Sequence, residues 1–186
     1  MLLDDGFKFD RFVPPPWFSI EKIISTVFIQ SKKQDINDEQ AIQIYNFIKH
    51  THYEHYTKIY TDGSKQSNGT VGSAIYVDDI TATFSWKLDS QHTIVTAELF
   101  AIYQGIKFAD RHLKEQNIVI FSDSLSALLM IKHYEHNISN LLINLIIHEI
   151  YNISIQGVDI VLQWIPSHHG IIGNNIVDQV AKEACS

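Results

Sequence analysis

The sequence predicts an α/β domain over residues 58–186, built on a mixed five-stranded sheet flanked by helices. Its first runs are rich in β-forming residues and are separated by short polar turns, which is typical of an antiparallel meander. Apolar segments with helical and strand periodicity then alternate, which is typical of β-α-β crossovers between parallel strands. Residues 1–57 differ in composition and are predicted to form an N-terminal extension or linker.

The N-terminal extension contains two recognisable elements. The run Pro14-Pro-Pro-Trp17 predicts an extended polyproline stretch, and an apolar run follows from Ile23 to Ile29. Apolar residues at helical spacing predict a helix from Asp38 to about Lys49, with Asn37 as its N-cap.

The domain itself begins with three predicted antiparallel strands, at Lys58–Thr61, Val71–Val77 and Ile80–Leu88. The first of these is expected to end on the polar sequence Asp62-Gly63-Ser64. The following segments are predicted as a helix with apolar positions from Val95 to Ala109, a strand at Ile118–Phe121, a helix reaching about His133, a helix over Ser139–Ile153, a strand at Asp159–Trp164 and a helix over Asn174–Ala184.

Four acidic residues stand next to these apolar elements. Asp62 and Asp123 follow predicted strands, whereas Glu98 and Asp178 border the apolar faces of predicted helices. One such residue alone is most simply a cap, a turn residue or part of a solvated face. Four together, near a core in which an unpaired carboxylate is costly, predict a convergent set of oxygen ligands for a hard divalent cation such as Mg²⁺.

The charge argues against nucleic-acid binding by a basic surface. Lys and Arg total 14 against 21 Asp and Glu, a formal net charge of -7. The single cysteine, Cys185, excludes an intramolecular disulfide framework and favours an intracellular location, in the nucleus or cytoplasm. The acidic start Met1–Gly6 does not resemble a signal peptide, and the apolar stretch Leu141–Ile147 is too short to cross a membrane. We expect a monomer that is neither secreted nor membrane-bound.

Each of the four acidic residues lies in a distinctive segment, and in chain order these are Tyr60-Thr-Asp62-Gly-Ser-Lys65, Thr96-Ala-Glu98-Leu-Phe-Ala-Ile102, Phe121-Ser-Asp123-Ser-Leu-Ser-Ala127, and the stretch from Trp164-Ile-Pro-Ser-His168 through Gly173-Asn174 to Asp178. The four segments resemble motifs of the ribonuclease H family, in the order in which that family carries them. The last stretch is most similar to the ribonuclease H domain of non-LTR retrotransposon reverse-transcriptase polyproteins. The resemblance covers roughly residues 58–185.

The resemblance implies a ribonuclease H-like fold and endonucleolytic hydrolysis of the RNA strand of RNA–DNA hybrids. It implies a two-metal-ion mechanism with two Mg²⁺ ions, for which Mn²⁺ would substitute, leaving 5′-phosphate and 3′-hydroxyl ends. It assigns the metal-binding catalytic carboxylates to Asp62, Glu98, Asp123 and Asp178, and it matches His168 to a mobile-loop histidine that assists proton transfer or product release. The residues expected near the substrate are Gly63, Ser64, Ser124 and Asn174. A reverse-transcriptase domain in a parent polyprotein would be a natural partner.

Some features depart from the family pattern. Asn175 stands where many relatives carry glutamate. The segment Lys132–Gln156 contains Lys132 as its one Lys or Arg, so we do not expect the basic handle, a helix and loop with which some ribonucleases H bind hybrid. Residues 58–186 hold 8 basic and 13 acidic residues, a net charge of -5. Two alternatives therefore stay open: a catalytically weak or inactive domesticated module that binds nucleic acid or protein, and another nuclease or polynucleotidyl transferase of the same fold.

Overall fold

The computed structural model describes residues 12–25, 37–137 and 139–186. Six strands are found there: β1 (Ile24–Ser25), β2 (Thr57–Lys65), β3 (Val71–Val77), β4 (Ala82–Leu88), β5 (Ile118–Ser122) and β6 (Ile160–Trp164). The helices are α1 (Asp38–Thr51), α2 (Ile94–His112), α3 (Leu125–Lys132), α4 (Leu141–Ser154) and α5 (Ile172–Glu183). The N-terminal run Met1–Gly6 and the second half of the apolar run Ile23–Ile29 lie outside the described residues.

The strands form one mixed sheet in the order β1-β6-β5-β2-β3-β4. β2, β3 and β4 are antiparallel, whereas β5 and β6 run parallel to β2. The predicted meander followed by parallel crossovers is therefore confirmed, as is the α/β class.

The sheet has one strand more than the five that were expected. Ile24 and Ser25 pair in parallel with Leu162 and Gln163 at the edge of β6. A strand of two residues is too short to produce a periodicity in the sequence, which is why the count was one too low. Part of the N-terminal segment is thus built into the sheet.

β2 is also longer than the sequence indicated. It runs from Thr57 to Lys65, through the polar residues that were expected to end it, because β3 pairs with it along this whole stretch. Its parallel neighbour β5 stops earlier, and Thr61 opposite Ser122 is the last pair between them. Asp62 therefore lies where the neighbouring strand ends, rather than at the end of its own strand.

Helices cover both faces of β2. On one face, Gly63 lies against the first turns of α2, and Gly105 of α2 lies over Ile59 and Thr61. On the other face, Gly173 at the start of α5 lies against the ring of Tyr60. Since alternate residues of a strand point to opposite faces, β2 is buried on both sides between α2 and α5.

The described helices include none that is long and apolar enough to cross a membrane. The longest, α2, is capped by the Thr93 side chain, which accepts a hydrogen bond from the backbone N–H of Thr96. α4 packs beside it, where Lys107 and Glu149 form an ion pair of 3.1 Å. α2 is therefore fixed at its first turn and along its outer side.

We predict that Gly63→Ala lowers the free energy of unfolding by about 3 kcal/mol, because the added methyl group would overpack a backbone contact that cannot move aside. A Cβ at this position would lie 2.5 Å from the backbone nitrogen of Glu98. Thermal or urea unfolding measures the effect.

Gly105→Ala is the matched control for this substitution. Its Cβ would meet side-chain atoms no nearer than 3.4 Å, and alanine is the better helix former. The control is expected to keep or raise stability by about 0.5 kcal/mol. Equal losses for both variants would contradict the close approach of α2 to β2.

Candidate active site

The first two acidic residues come together through the register of β2 and β5. Thr61 and Ser122 are paired, so Asp62 and Asp123 are the next residues on two adjacent parallel strands. Beyond this pair the strands no longer hydrogen-bond to each other, which leaves room for both carboxylates at the point of divergence. The backbone of Asp123 is held there because its carbonyl oxygen accepts a hydrogen bond of 3.1 Å from the indole Nε1 of Trp164.

Glu98 reaches the same point from the first turns of α2. The absence of a side chain at Gly63 lets the helix backbone approach β2 closely, and the Gly63 backbone N–H donates a hydrogen bond to the Glu98 carboxylate. Glu98 is only 7% exposed, and its Oε2 has no hydrogen-bond partner among the described residues. A buried carboxylate oxygen without a partner is costly, unless a cation satisfies it.

The carboxylates of Asp62, Glu98 and Asp123 form a compact cluster. One oxygen from each lies within 4.8 Å of the others. Burial, followed by the charges of Asp123 and Asp178, raises the pKa of Asp62 to about 8. Burial and the charge of Asp62 raise the pKa of Glu98 well above its usual range. Without a cation, the cluster therefore holds protons that ordinary carboxyls would release.

Asp178 approaches the cluster from α5, on the other side of β2. It does not belong to the group of three, although its charge contributes to the raised pKa of Asp62. Its carboxylate accepts a hydrogen bond of 2.6 Å from the Lys182 ammonium, one helical turn later. This bond is the main cause of the raised pKa of Lys182. The spacing of four residues predicts such a pair from sequence.

The residues present fit a hard divalent cation. All three members of the cluster offer oxygen and come from separate parts of the fold, and one of them, Glu98, has an oxygen without a hydrogen-bond partner in the described part of the chain. Mg²⁺ and Mn²⁺ prefer such ligands, whereas nitrogen- and sulfur-seeking metals do not.

His168 lies on the loop that joins β6 to α5, outside the cluster of carboxylates. Its side chain is exposed, and its backbone adopts a left-handed conformation with φ of 61°. The next residue, His169, is hydrogen-bonded to Asp38 at 2.8 Å. The loop therefore presents His168 to solvent on the side where α5 begins.

The four residues expected near the substrate take different positions. Gly63 and Ser64 lie within β2, and both are buried. The Ser124 side chain caps α3 by accepting a hydrogen bond from the backbone N–H of Ala127. Asn174 is 3% exposed, and its amide donates a hydrogen bond of 3.0 Å to the Asp123 carboxylate. The structure thus places Asn174 beside a cluster carboxylate, a contact between residues 51 positions apart for which the sequence holds no local signal.

Comparison with protein families matched residues 54–186 of the chain to the family described as RNase H. The match covers more than two thirds of the chain and includes Asp62, Glu98, Asp123 and Asp178. A search of curated proteins found no match.

The raised pKa of Asp62 predicts how the free energy of unfolding of the metal-free protein depends on pH. In the folded state Asp62 binds a proton up to about pH 8, whereas an unfolded Asp releases it near pH 4. Between these values the folded state holds more protons, so its free energy of unfolding falls as pH rises. Asp62→Asn removes this contribution and should stabilise the protein at pH 8 by about 1 kcal/mol or more.

Unfolding by urea in the presence of a chelator, at pH 5 to pH 8.5, measures this difference. Asp79→Asn is the matched control, because Asp79 is an exposed acidic residue in the short 3-10 helix between β3 and β4. The control should keep the wild-type dependence on pH. Parallel curves for wild type and Asp62→Asn would show that Asp62 does not carry the buried proton.

Proposed function

The chain belongs to the RNase H family, and we propose that it cleaves the RNA strand of RNA–DNA hybrids endonucleolytically, leaving 5′-phosphate and 3′-hydroxyl ends. Family membership supports a nuclease that acts on nucleic-acid hybrids. The single observation that carries the proposal is the cluster of Asp62, Glu98 and Asp123, whose ligand atoms lie within 4.8 Å of one another.

The carboxylates of this cluster are the proposed ligands of two Mg²⁺ ions, with Mn²⁺ as a substitute, and Asp178 is proposed to join them from α5. When bound, these cations supply Lewis-acid stabilisation for the attacking and leaving oxygens of phosphodiester hydrolysis. The protein's part is to hold the ligands in place. The amide of Asn174 orients Asp123, and the backbone N–H of Gly63 orients Glu98.

His168 is the proposed group for proton transfer or product release. It is exposed on the loop before α5, the helix that carries Asp178, and an imidazole nitrogen can accept or donate a proton. Gly63, Ser64, Ser124 and Asn174 are proposed to lie near the RNA strand, where the 2′-hydroxyl distinguishes RNA from DNA.

We further propose that the domain derives from a retrotransposon polyprotein and acts inside the cell, in the nucleus or cytoplasm. The acidic balance of residues 58–186 supports a partner that holds the substrate, because such a surface binds a polyanion weakly by itself. Among the described residues, α4 is the one α-helix between α3 and β6, which leaves little room for a basic handle there. A reverse-transcriptase partner would supply the contacts that hold the nucleic acid at this domain.

The proposal is tested by incubating the protein with a labelled RNA–DNA hybrid and Mg²⁺ or Mn²⁺. Wild type is expected to cleave the RNA strand, whereas Asp62→Asn and Asp123→Asn should be slower by roughly a hundredfold or more, because several kcal/mol of charge stabilisation is lost. Asp79→Asn should retain wild-type activity.

The possible outcomes separate the alternatives. An intact hybrid with wild type would overturn the catalytic assignment and favour a binding module. Equal cleavage by the Asp62→Asn and Asp123→Asn variants would show that these carboxylates are not catalytic. Cleavage of duplex DNA at a comparable rate would favour a different nuclease of the same fold.

His168→Ala is expected to reduce kcat by roughly a hundredfold, as for loss of a general acid or base. Metal binding should be retained, because His168 lies outside the carboxylate cluster. Single-turnover and steady-state cleavage rates, together with Mn²⁺ affinity, measure the two effects. An unchanged kcat would make His168 a structural residue.

A further inference from the structure

The loop that carries His168 has an unusual backbone. It joins β6, which ends at Trp164, to α5, which begins at Ile172. His168 has a φ of 61° and Gly170 a φ of 78°, so two residues within three adopt the left-handed conformation. This conformation costs a residue such as histidine free energy, and surrounding contacts must hold it.

Those contacts come from α1, a helix that lies before the family's first matched residue. The Nδ1–H of His169 donates a hydrogen bond of 2.8 Å to the Asp38 carboxylate at the first position of α1. The Cδ1 atom of Ile42 lies 3.3 Å from the position that a Cβ on Gly170 would occupy. Asp38 and Ile42 are one helical turn apart, so a single face of α1 contacts two consecutive residues of the loop.

The same face continues to the start of α5. Tyr45, one turn further along α1, is hydrogen-bonded through its hydroxyl to the hydroxyl of Tyr60 in β2. The ring of Tyr60 in turn lies against Gly173 in the first turn of α5. α1 therefore contacts the loop directly and the helix after it through one intervening side chain.

α1 is itself firmly attached, so it can serve as a fixed support. Its N-terminus is closed by a capping box between Asn37 and Gln40. Tyr45 and Ile48 are buried in the core, and Lys49 forms an ion pair of 3.1 Å with Asp78 beyond the end of β3. The capping box stabilises the helix itself, and the contacts along its buried face and at its C-terminal end fix it against the sheet.

From these contacts we infer that α1 is a brace for the catalytic loop, with Asp38 and His169 as positioning residues that fix the orientation of His168. This inference rests on the proposed function, because it gives His168 a part in hybrid cleavage. Asp38 and His169 act through the backbone of the loop and do not touch the substrate. Without the brace, the loop would adopt other conformations, and a smaller fraction of molecules would hold His168 in the orientation that cleavage of the hybrid requires.

The test compares Asp38→Ala with Glu39→Ala. Both remove one acidic side chain from the first turn of α1, but Glu39 is bonded only to Gln43 of the same helix among its described contacts. Asp38→Ala is expected to lower kcat on hybrid about fivefold, the factor for loss of one hydrogen bond, with KM unchanged. Glu39→Ala should behave as wild type. Asp38→Asn should restore most of the rate, because its amide oxygen still accepts from His169.

A double variant shows whether Asp38 affects cleavage through His168. If Asp38 acts through His168, then Asp38→Ala combined with His168→Ala should be no slower than His168→Ala alone. A further fivefold loss in the double variant would overturn the inference, as would an unchanged kcat in Asp38→Ala.

Hydrogen exchange of the backbone amides from Ser167 to Gly170 provides a readout that is independent of cleavage. Exchange should be about fivefold faster in Asp38→Ala than in Glu39→Ala. Equal exchange in the two variants would overturn the brace even if the protein is active. A wild-type protein that leaves hybrid intact would overturn the proposed function, while the exchange rates would still decide whether α1 holds the loop.

Discussion

The repulsion among three clustered carboxylates, two of them buried, dominates the electrostatics of this protein. Asp62 in β2 and Glu98 in α2 are buried, so neither can move into solvent without disrupting the core, and the partly exposed Asp123 directly follows β5. Burial and mutual repulsion raise the pKa of Asp62 and of Glu98. A divalent cation converts this unfavourable arrangement into a favourable one, because it replaces the protons and satisfies the Glu98 oxygen that has no hydrogen-bond partner among the described residues.

The helices that carry Glu98 and Asp178 pack closely on β2 because glycine residues, which have no side chain, lie at the points of contact. Gly63 brings the first turns of α2 onto β2, and Gly173 brings the start of α5 onto Tyr60. The parallel register then sets Asp62 and Asp123 on adjacent strands where their pairing ends. The net charge of -7 is consistent with this design, since acidic residues that ligate cations do not repel a bound phosphodiester as free acids would.

Periodicity predicted the strands and helices of the domain, because each buries an apolar face along its length. It did not predict β1, which is two residues long, or the extension of β2 through Asp62, which depends on pairing with β3. The approach of Glu98 to Asp62 could be anticipated from acids bordering apolar faces. The bonds from Asn174 to Asp123 and from His169 to Asp38 could not, because they join residues far apart in the chain.

The central claim is that the cluster exchanges protons for a divalent cation. Calorimetric titration of Mn²⁺ into the protein near neutral pH, in buffers of different ionisation enthalpy, measures this exchange directly. The account predicts saturable binding accompanied by proton release, with affinity that increases as pH rises to about 8, the pKa of Asp62. Binding without proton release, or equal affinity in Asp62→Asn, would contradict it.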